Sequence, residues 1–75
     1  MTAIEDVPIR GEMIRLGQLL KFVNVADSGA AAAELIASGD VSVGDEVEVR
    51  RGRQLVRGDV VTVALAAGSL CFRIA

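Results

Sequence analysis

The sequence contains no histidine, tryptophan or tyrosine, and its only cysteine is Cys71. Without histidine, a Cys–His catalytic pair and a histidine-based metal site are both excluded. The acidic residues are scattered without a recognisable catalytic pair, and no Gly-x-Gly-type phosphate loop is present. A single thiol cannot form an internal disulfide, which fits a reducing compartment. We therefore expect a protein that is not an enzyme and uses no cofactor or metal.

Long apolar runs are also missing. No stretch approaches the roughly 20 residues that a membrane-spanning helix requires. The first residues include Glu5 and Asp6 and no basic stretch before an apolar core, so they do not resemble a signal peptide. We therefore expect a cytoplasmic protein without a membrane partner.

Aromatic residues are scarce, since Phe22 and Phe72 are the only two. They are too few for a platform that stacks successive bases of a single strand, and we assign both to the core. Cys71 lies among apolar residues and is predicted to be a small buried side chain. Hydrophobic residues are 52% of the 75-residue chain, which is enough for one core and predicts a single domain over residues 1–75.

The first segment with a periodic pattern is short and extended. Residues 1–5 are predicted to be a loose start. Residues 6–10 then alternate, with Val7 and Ile9 on one face. Pro8 lacks a backbone N–H, so a strand here would lie at the edge of a sheet. This segment could pair with the C-terminal strand and close the sheet.

Two amphipathic helices are predicted next. The first has apolar residues at i, i+3, i+4 and i+7, and the run 29–38 is rich in alanine, the best helix former. Asp27 or Ser28 can cap the second helix, and Gly39 is placed to end it. The apolar stripes are Leu16, Leu19, Leu20 and Val23 in the first helix, and Ala32, Leu35 and Ile36 in the second. About four residues separate the helices, which predicts an αα-hairpin.

The second half of the chain alternates with a period of two. A two-residue Gly44-Asp45 turn would pair Val43 with Glu46, whereas a three-residue connection over 44–46 would place four valines on one face. We favour the longer connection or a bulge, because a slip of one residue reverses every side chain. Residues 50–58 are then predicted as a polar connection, 60–63 as a strand, 66–69 as a turn and 70–74 as the last strand.

Four arginines follow the hairpin without an intervening acid, namely Arg50, Arg51, Arg53 and Arg57. Guanidinium groups at this density could bind phosphates through bidentate contacts. Alternatively, they are solvated loop residues paired in part with Asp45, Glu46 and Glu48. The net charge of −2 counts against a free-standing nucleic-acid binder, although a polyanion responds to the face on which it docks.

The order of these segments resembles the S4-like RNA-binding domain, also called the alpha-L motif, and especially its small stand-alone bacterial members. The resemblance covers residues 14–61. The matching segments are residues 14–21, 27–29, 35–36, 39, 41–43, 46–48, 50–53 and 58–61. It implies an α+β fold in which a helix hairpin packs on a small, mostly antiparallel sheet of three to five strands.

The resemblance also implies binding of structured RNA, ribosomal or tRNA-like, by one face of the helix pair and the adjoining loop. Ribosomal or assembly proteins are further candidate partners, and the protein is expected to be a ribosome-associated monomer. Together with the arginine tract, the implied RNA-binding residues are Arg15, Lys21, Ser28, Arg50, Arg51, Arg53 and Arg57. Arg15 and Lys21 could instead serve solubility alone, and Ser28 could be only a helix cap.

A protein–protein adaptor is the alternative function. Ala31 and Ala33 stand where relatives often carry polar or basic residues, and Asp45 adds a negative charge to the hairpin. An adaptor would keep the fold but bind RNA weakly or not at all. It would show an exposed apolar patch and lack a continuous positive surface.

Overall fold

The computed structural model describes residues 3–75. Two helices and seven strands follow one another in the order β1 (Ile4–Val7), β2 (Ile14–Arg15), α1 (Leu16–Phe22), α2 (Gly29–Ala37), β3 (Val41–Val43), β4 (Glu46–Val47), β5 (Gln54–Leu55), β6 (Val60–Leu65) and β7 (Gly68–Ile74). Five strands form one sheet in the order β1-β7-β6-β3-β4, and β2 pairs with β5 in a second, two-stranded sheet. Only β1 and β7 are parallel. The α+β fold with a helix hairpin on a mostly antiparallel sheet is confirmed.

The N-terminal strand pairs with the C-terminal strand, as predicted, but its position differs. It pairs Ile4 with Cys71 and Val7 with Ile74 and ends before Pro8, which cannot donate to a ladder. The expected loose start is therefore wrong for residues 4 and 5, while residues 1–2 lie outside the described residues. The sheet stays open, because β1 and β4 form its two edges.

One apolar core joins the helix hairpin to the sheet. The three leucines of the α1 stripe are fully buried, and so are Ile36 of α2, Val41 of β3, and Val61 and Val63 of β6. The largest fully buried side chains are Leu16, Leu19, Leu20, Ile36, Val41, Leu55, Val61, Val63 and Ile74. Both helical stripes were thus predicted correctly from their periodicity.

The ends of the helices follow the predicted capping residues. The Ser28 hydroxyl oxygen accepts a hydrogen bond from the Ala31 N–H at 3.0 Å, so Ser28 is the cap of α2. Gly39 has φ +89°, a conformation that glycine adopts at little cost just after a helix. At the start of α1, the Gln18 side chain accepts from the Arg15 N–H at 3.1 Å.

The short β2–β5 ladder was not predicted. It pairs Ile14 with Leu55 and Arg15 with Gln54. Residues 50–58 are therefore more than the polar connection expected from their composition. Leu55 is fully buried and is the buried residue of the arginine segment, which we define as residues 50–57.

The β3–β4 hairpin has the shorter of the two connections considered. Val43 pairs with Glu46 and Ser42 with Val47 across Gly44-Asp45, so the predicted three-residue connection is wrong. Gly44 has φ +62°, and a two-residue hairpin of type II′ requires such a value at its first loop position. Because β4 lies at an edge, Val47 stays 61% exposed, and burial of the valines does not set the register.

The two phenylalanines have different environments. Phe72 is buried, as predicted, but Phe22 is 63% exposed, so its assignment to the core is wrong. Phe22 is the last residue of α1 and lies outside the Leu16–Leu19–Leu20 stripe. Cys71 is half-buried, with its Sγ 3.3 Å from the Thr62 hydroxyl, and is thus less enclosed than expected.

Candidate nucleic-acid interface

A groove with three cationic side chains lies between α1, the start of α2 and the arginine segment. Its volume is about 330 Å³. We call it the helix groove, and its lining residues are Arg15, Gly17, Gln18, Lys21, Gly29, Arg51 and Gly52. None of these lining residues is acidic. Within residues 3–75, Arg15, Lys21 and Arg51 form no salt bridge, so their charges are available to an anion.

Backbone hydrogen bonds bring the arginine segment to α1. The first N–H groups of a helix have no partner within it. Here the Leu16 N–H donates to the Arg53 carbonyl and the Gly17 N–H to the Arg51 carbonyl, each at 2.9 Å. The segment therefore satisfies two N–H groups of the helix and places Arg51 beside the exposed side of α1.

Position 17 of α1 packs against Arg51. A Cβ at this position would lie 3.5 Å from both the Cβ and the carbonyl oxygen of Arg51, which is ordinary van der Waals contact. Alanine would therefore fit, but a longer side chain would extend into the helix groove. The small size of Gly17 keeps the space between Arg51 and Lys21 open.

A second groove adjoins the first at Gly52. Its volume is about 470 Å³ and it is lined by Arg50, Gly52, Arg53 and Gln54; we call it the loop groove. Its two arginines differ from those of the helix groove, because both are paired with one carboxylate.

Glu48 is that carboxylate, and only 6% of the residue is exposed. Its Oε2 accepts from Arg50 Nε at 3.0 Å, and its Oε1 accepts from Arg50 Nη2 at 3.3 Å and from Arg53 Nη1 at 2.9 Å. The Arg50 backbone N–H also donates to Oε2, at 3.2 Å. The three side chains together carry a net charge of one, and two guanidinium groups are held in a fixed arrangement.

These contacts change the ionisation of Glu48. Hydrogen bonds from the side chains of Arg50 and then Arg53 lower the pKa of Glu48 to about 2, against the opposing effect of partial desolvation. The same contact raises the pKa of Arg50 above its ordinary value. The cluster is therefore fully ionised near neutral pH.

The other two predicted RNA-binding residues have local structural roles. The Ser28 hydroxyl is occupied in capping α2, although its neighbour Gly29 lines the helix groove. Arg57 donates from Nη2 to the Ile9 carbonyl at 3.0 Å and lines neither cationic groove. The structure thus brings Arg15, Lys21 and Arg51 together, sets Arg50 and Arg53 beside them, and places Arg57 elsewhere.

Sequence analysis missed two residues of this region. Gln18 lines the helix groove with Arg15 and Lys21 but was not recognised as part of the site. Glu48 was considered only as one of three acids that could pair with the arginines. Two features could have identified it. Glu48 precedes Arg50 by two residues and Arg53 by five, and a two-residue turn places it opposite Val41, on the buried face of the hairpin.

Comparison with known proteins agrees with this architecture. A family model described as S4 domain matches residues 7–69. The chain belongs to the S4 domain family. The match extends beyond the resemblance over 14–61 and includes the whole of both cationic grooves.

One curated relative of this S4 domain is the probable ribosome maturation protein RlbA of Bacillus subtilis (strain 168). It is 46% identical over 57 residues, which are 76% of this chain and 80% of the relative. Neither the family description nor the relative's name denotes an enzymatic activity. Among the residues described, no helix is long and apolar enough to cross a membrane.

Proposed function

We propose that this S4 domain is a cytoplasmic protein that binds structured RNA, with ribosomal RNA as the leading candidate, and acts without chemical turnover. The observation that carries the proposal is the helix groove, in which three cations without acidic partners surround one opening. Phosphates are the complementary ligand, since each one neutralised by Lys or Arg releases counterions and contributes to affinity.

The chemistry of the lining supports recognition of RNA shape and backbone. The helix groove offers guanidinium, ammonium and amide donors but no aromatic face. Folded RNA is recognised largely through phosphates and its overall form, whereas base reading of single strands uses stacking surfaces. The negative total charge does not oppose such docking, because the acids of the β3–β4 hairpin do not line the groove.

The relative's name supports the choice of RNA. The name, probable ribosome maturation protein, links that relative to the ribosome, whose folded RNA is a polyanion. By analogy, we propose a ribosome-associated role for this S4 domain as well, with ribosomal or assembly proteins as neighbours on the same particle.

The arginines have different parts in this proposal. Arg15, Lys21 and Arg51 would contact phosphates directly. Arg50 uses two donors on Glu48 and Arg53 uses one; since a guanidinium carries five N–H donors, both could still reach a phosphate. Their contribution to affinity should be smaller, because Glu48 already neutralises one of the two charges.

The adaptor alternative retains one supporting observation, an exposed apolar groove beside Phe22. It was also expected to lack a continuous positive surface. The two cationic grooves share Gly52 and adjoin one another, which favours RNA.

The test is binding of the purified protein to a folded ribosomal RNA fragment across a salt series. Wild-type protein should bind with a slope of log K against log salt of about −2 to −3 from the helix groove, at roughly 0.7 to 0.9 per phosphate. Arg51→Ala should weaken binding and reduce the slope by about one. Arg50→Ala should have a smaller effect.

Arg73→Ala is the matched control. Arg73 lies on β7 and pairs with Asp6 at 2.7 Å, outside both cationic grooves. Its removal changes the net charge by the same amount, but it should leave the slope unchanged. Equal losses in Arg51→Ala and Arg73→Ala would show that total charge controls binding, and absence of binding by the wild type at low salt would refute RNA recognition.

A further inference from the structure

An apolar groove is formed by the connection between β1 and β2 together with Ile14 of β2 and Phe22 of α1. Its volume is about 510 Å³, and it is lined by residues 8–11, Met13, Ile14 and Phe22. Its lining is predominantly apolar, and Arg10 is the one charged residue among the lining side chains. Phe22 is 63% exposed and Met13 is 38% exposed. An aromatic ring left largely in water beside an open apolar surface indicates a binding site.

The apolar groove and the helix groove are built on the same two elements. Arg15 and Lys21 line the helix groove, while their chain neighbours Ile14 and Phe22 line the apolar groove. On α1, successive side chains point about 100° apart. Lys21 and Phe22, adjacent residues of α1, therefore line different grooves.

Two hydrogen bonds hold the far wall of the apolar groove in place. The Arg57 side chain donates to the Ile9 carbonyl at 3.0 Å, and the Ile9 N–H donates to the Ala75 carbonyl at 3.4 Å. Ile9 in this wall is thus bonded to Arg57, which follows β5, and to Ala75, the C-terminal residue. Arg57 does not line the helix groove, but it helps to hold the wall of the apolar groove.

We propose that the apolar groove receives one unstacked nucleobase of the RNA held in the helix groove, with Phe22 as its stacking surface. The inference rests on the proposed RNA binding and adds a preference for an unpaired nucleotide. A nucleotide combines an apolar planar base with an anionic phosphate, and this pairing of properties matches the groove and its flanking cations Arg10, Arg15 and Lys21. A purely apolar partner segment would leave those cations unused.

The experiment uses two RNA hairpins that differ by one bulged adenosine in the stem. Wild-type protein should bind the bulged hairpin about tenfold more tightly than the fully paired one, as expected for one base–aromatic stack. Phe22→Ala should abolish this preference while leaving the affinity for the paired hairpin and the salt slope unchanged. Phe22→Trp should retain the preference, because the indole supplies an aromatic face.

Val47→Ala is the matched control, since Val47 is 61% exposed and lies away from the apolar groove. It should preserve both affinities. Equal wild-type affinities for the two hairpins would overturn the nucleobase proposal while leaving RNA binding intact. Absence of binding to either hairpin would instead refute the proposed function.

Two further outcomes would also overturn the proposal. A full preference in Phe22→Leu would show that stacking is not the interaction. Sedimentation of the wild type as a dimer that Phe22→Ala dissociates would assign the groove to a second copy of the chain.

Discussion

Leu55→Ala tests whether the β2–β5 ladder secures the arginine segment. Leu55 is 0% exposed and pairs with Ile14, while its neighbour Val56 is 50% exposed. Truncating Leu55 removes the buried apolar side chain of the arginine segment and leaves a cavity in the core. Val56→Ala removes a side chain of similar chemistry one position away and leaves the core intact.

The expected loss in the free energy of unfolding is about 2–5 kcal/mol, the range for a buried leucine reduced to alanine. A chain of 75 residues has a total stability of roughly 4–11 kcal/mol, so the change removes a large fraction of it. In a domain of this size each kcal/mol corresponds to about 4–8 °C, so the melting temperature should fall by at least about 8 °C. Val56→Ala should stay within about 0.5 kcal/mol of wild type.

Urea unfolding followed by circular dichroism measures both variants. Hydrogen exchange should also show faster exchange of the Leu16 and Gly17 amides in Leu55→Ala, because they donate to carbonyls of the anchored segment. Should Leu55→Ala not fold, Leu55→Met provides a milder substitution, costing less than about 1.5 kcal/mol. A loss below about 1 kcal/mol in Leu55→Ala, equal to that in Val56→Ala, would refute the anchoring role.

Three other variants test local features of the fold. Hydrogen bonds lower the pKa of Glu48 to about 2 from an ordinary 4.5, so its stabilising contribution is complete above about pH 4.5 and is lost as the pH falls towards 2. The difference in melting temperature between wild type and Glu48→Gln should therefore shrink over that interval. A constant difference would contradict the assignment. Ser28→Ala should cost about 1 kcal/mol by leaving the Ala31 N–H without its cap, whereas Ser28→Asp should retain stability, as thermal unfolding will show. Gly44→Ala should lower the free energy of unfolding by about 1–2 kcal/mol, because residue 44 has a left-handed backbone. Gly29→Ala is the control, since position 29 has neither a left-handed backbone nor a nearby obstruction. An equal loss of stability in both variants would argue against backbone strain at residue 44.

The features predicted from sequence are those that local chemistry determines. The stripe of Leu16, Leu19 and Leu20 requires a helix because only a period of 3.6 places these residues on one face. Ser28 and Gly39 marked the ends of α2 because caps act within a few residues of themselves. Such signals do not depend on the rest of the chain.

The features that were not predicted depend on distant parts of the chain. Leu55 is buried because β2 lies opposite it, and no neighbouring residue in the sequence reveals that pairing. Phe22 ends α1 with its side chain 63% exposed, and its hydrophobic character alone led to an assignment to the core. In both cases the tertiary surroundings decide the burial of a residue whose local pattern is ambiguous.

The β3–β4 register shows how an ion-pair cluster can override hydrophobic patterning. The register expected from the valines would have turned Val47 and Val49 inward, and with them turned Glu48 outward. The observed register reverses this: both valines are more than half exposed, and Glu48 is enclosed with bonds to Arg50 and Arg53.

Two sets of interactions compensate for the exposed valines. A carboxylate with several charge-assisted hydrogen bonds tolerates enclosure that an unpaired one would not. The same placement brings the carbonyls of Arg51 and Arg53 to the N-terminus of α1, where two N–H groups would otherwise lack partners. A slip of one residue would disrupt both arrangements and move Arg51 away from Lys21. The geometry of the helix groove therefore depends on the register of the β3–β4 hairpin.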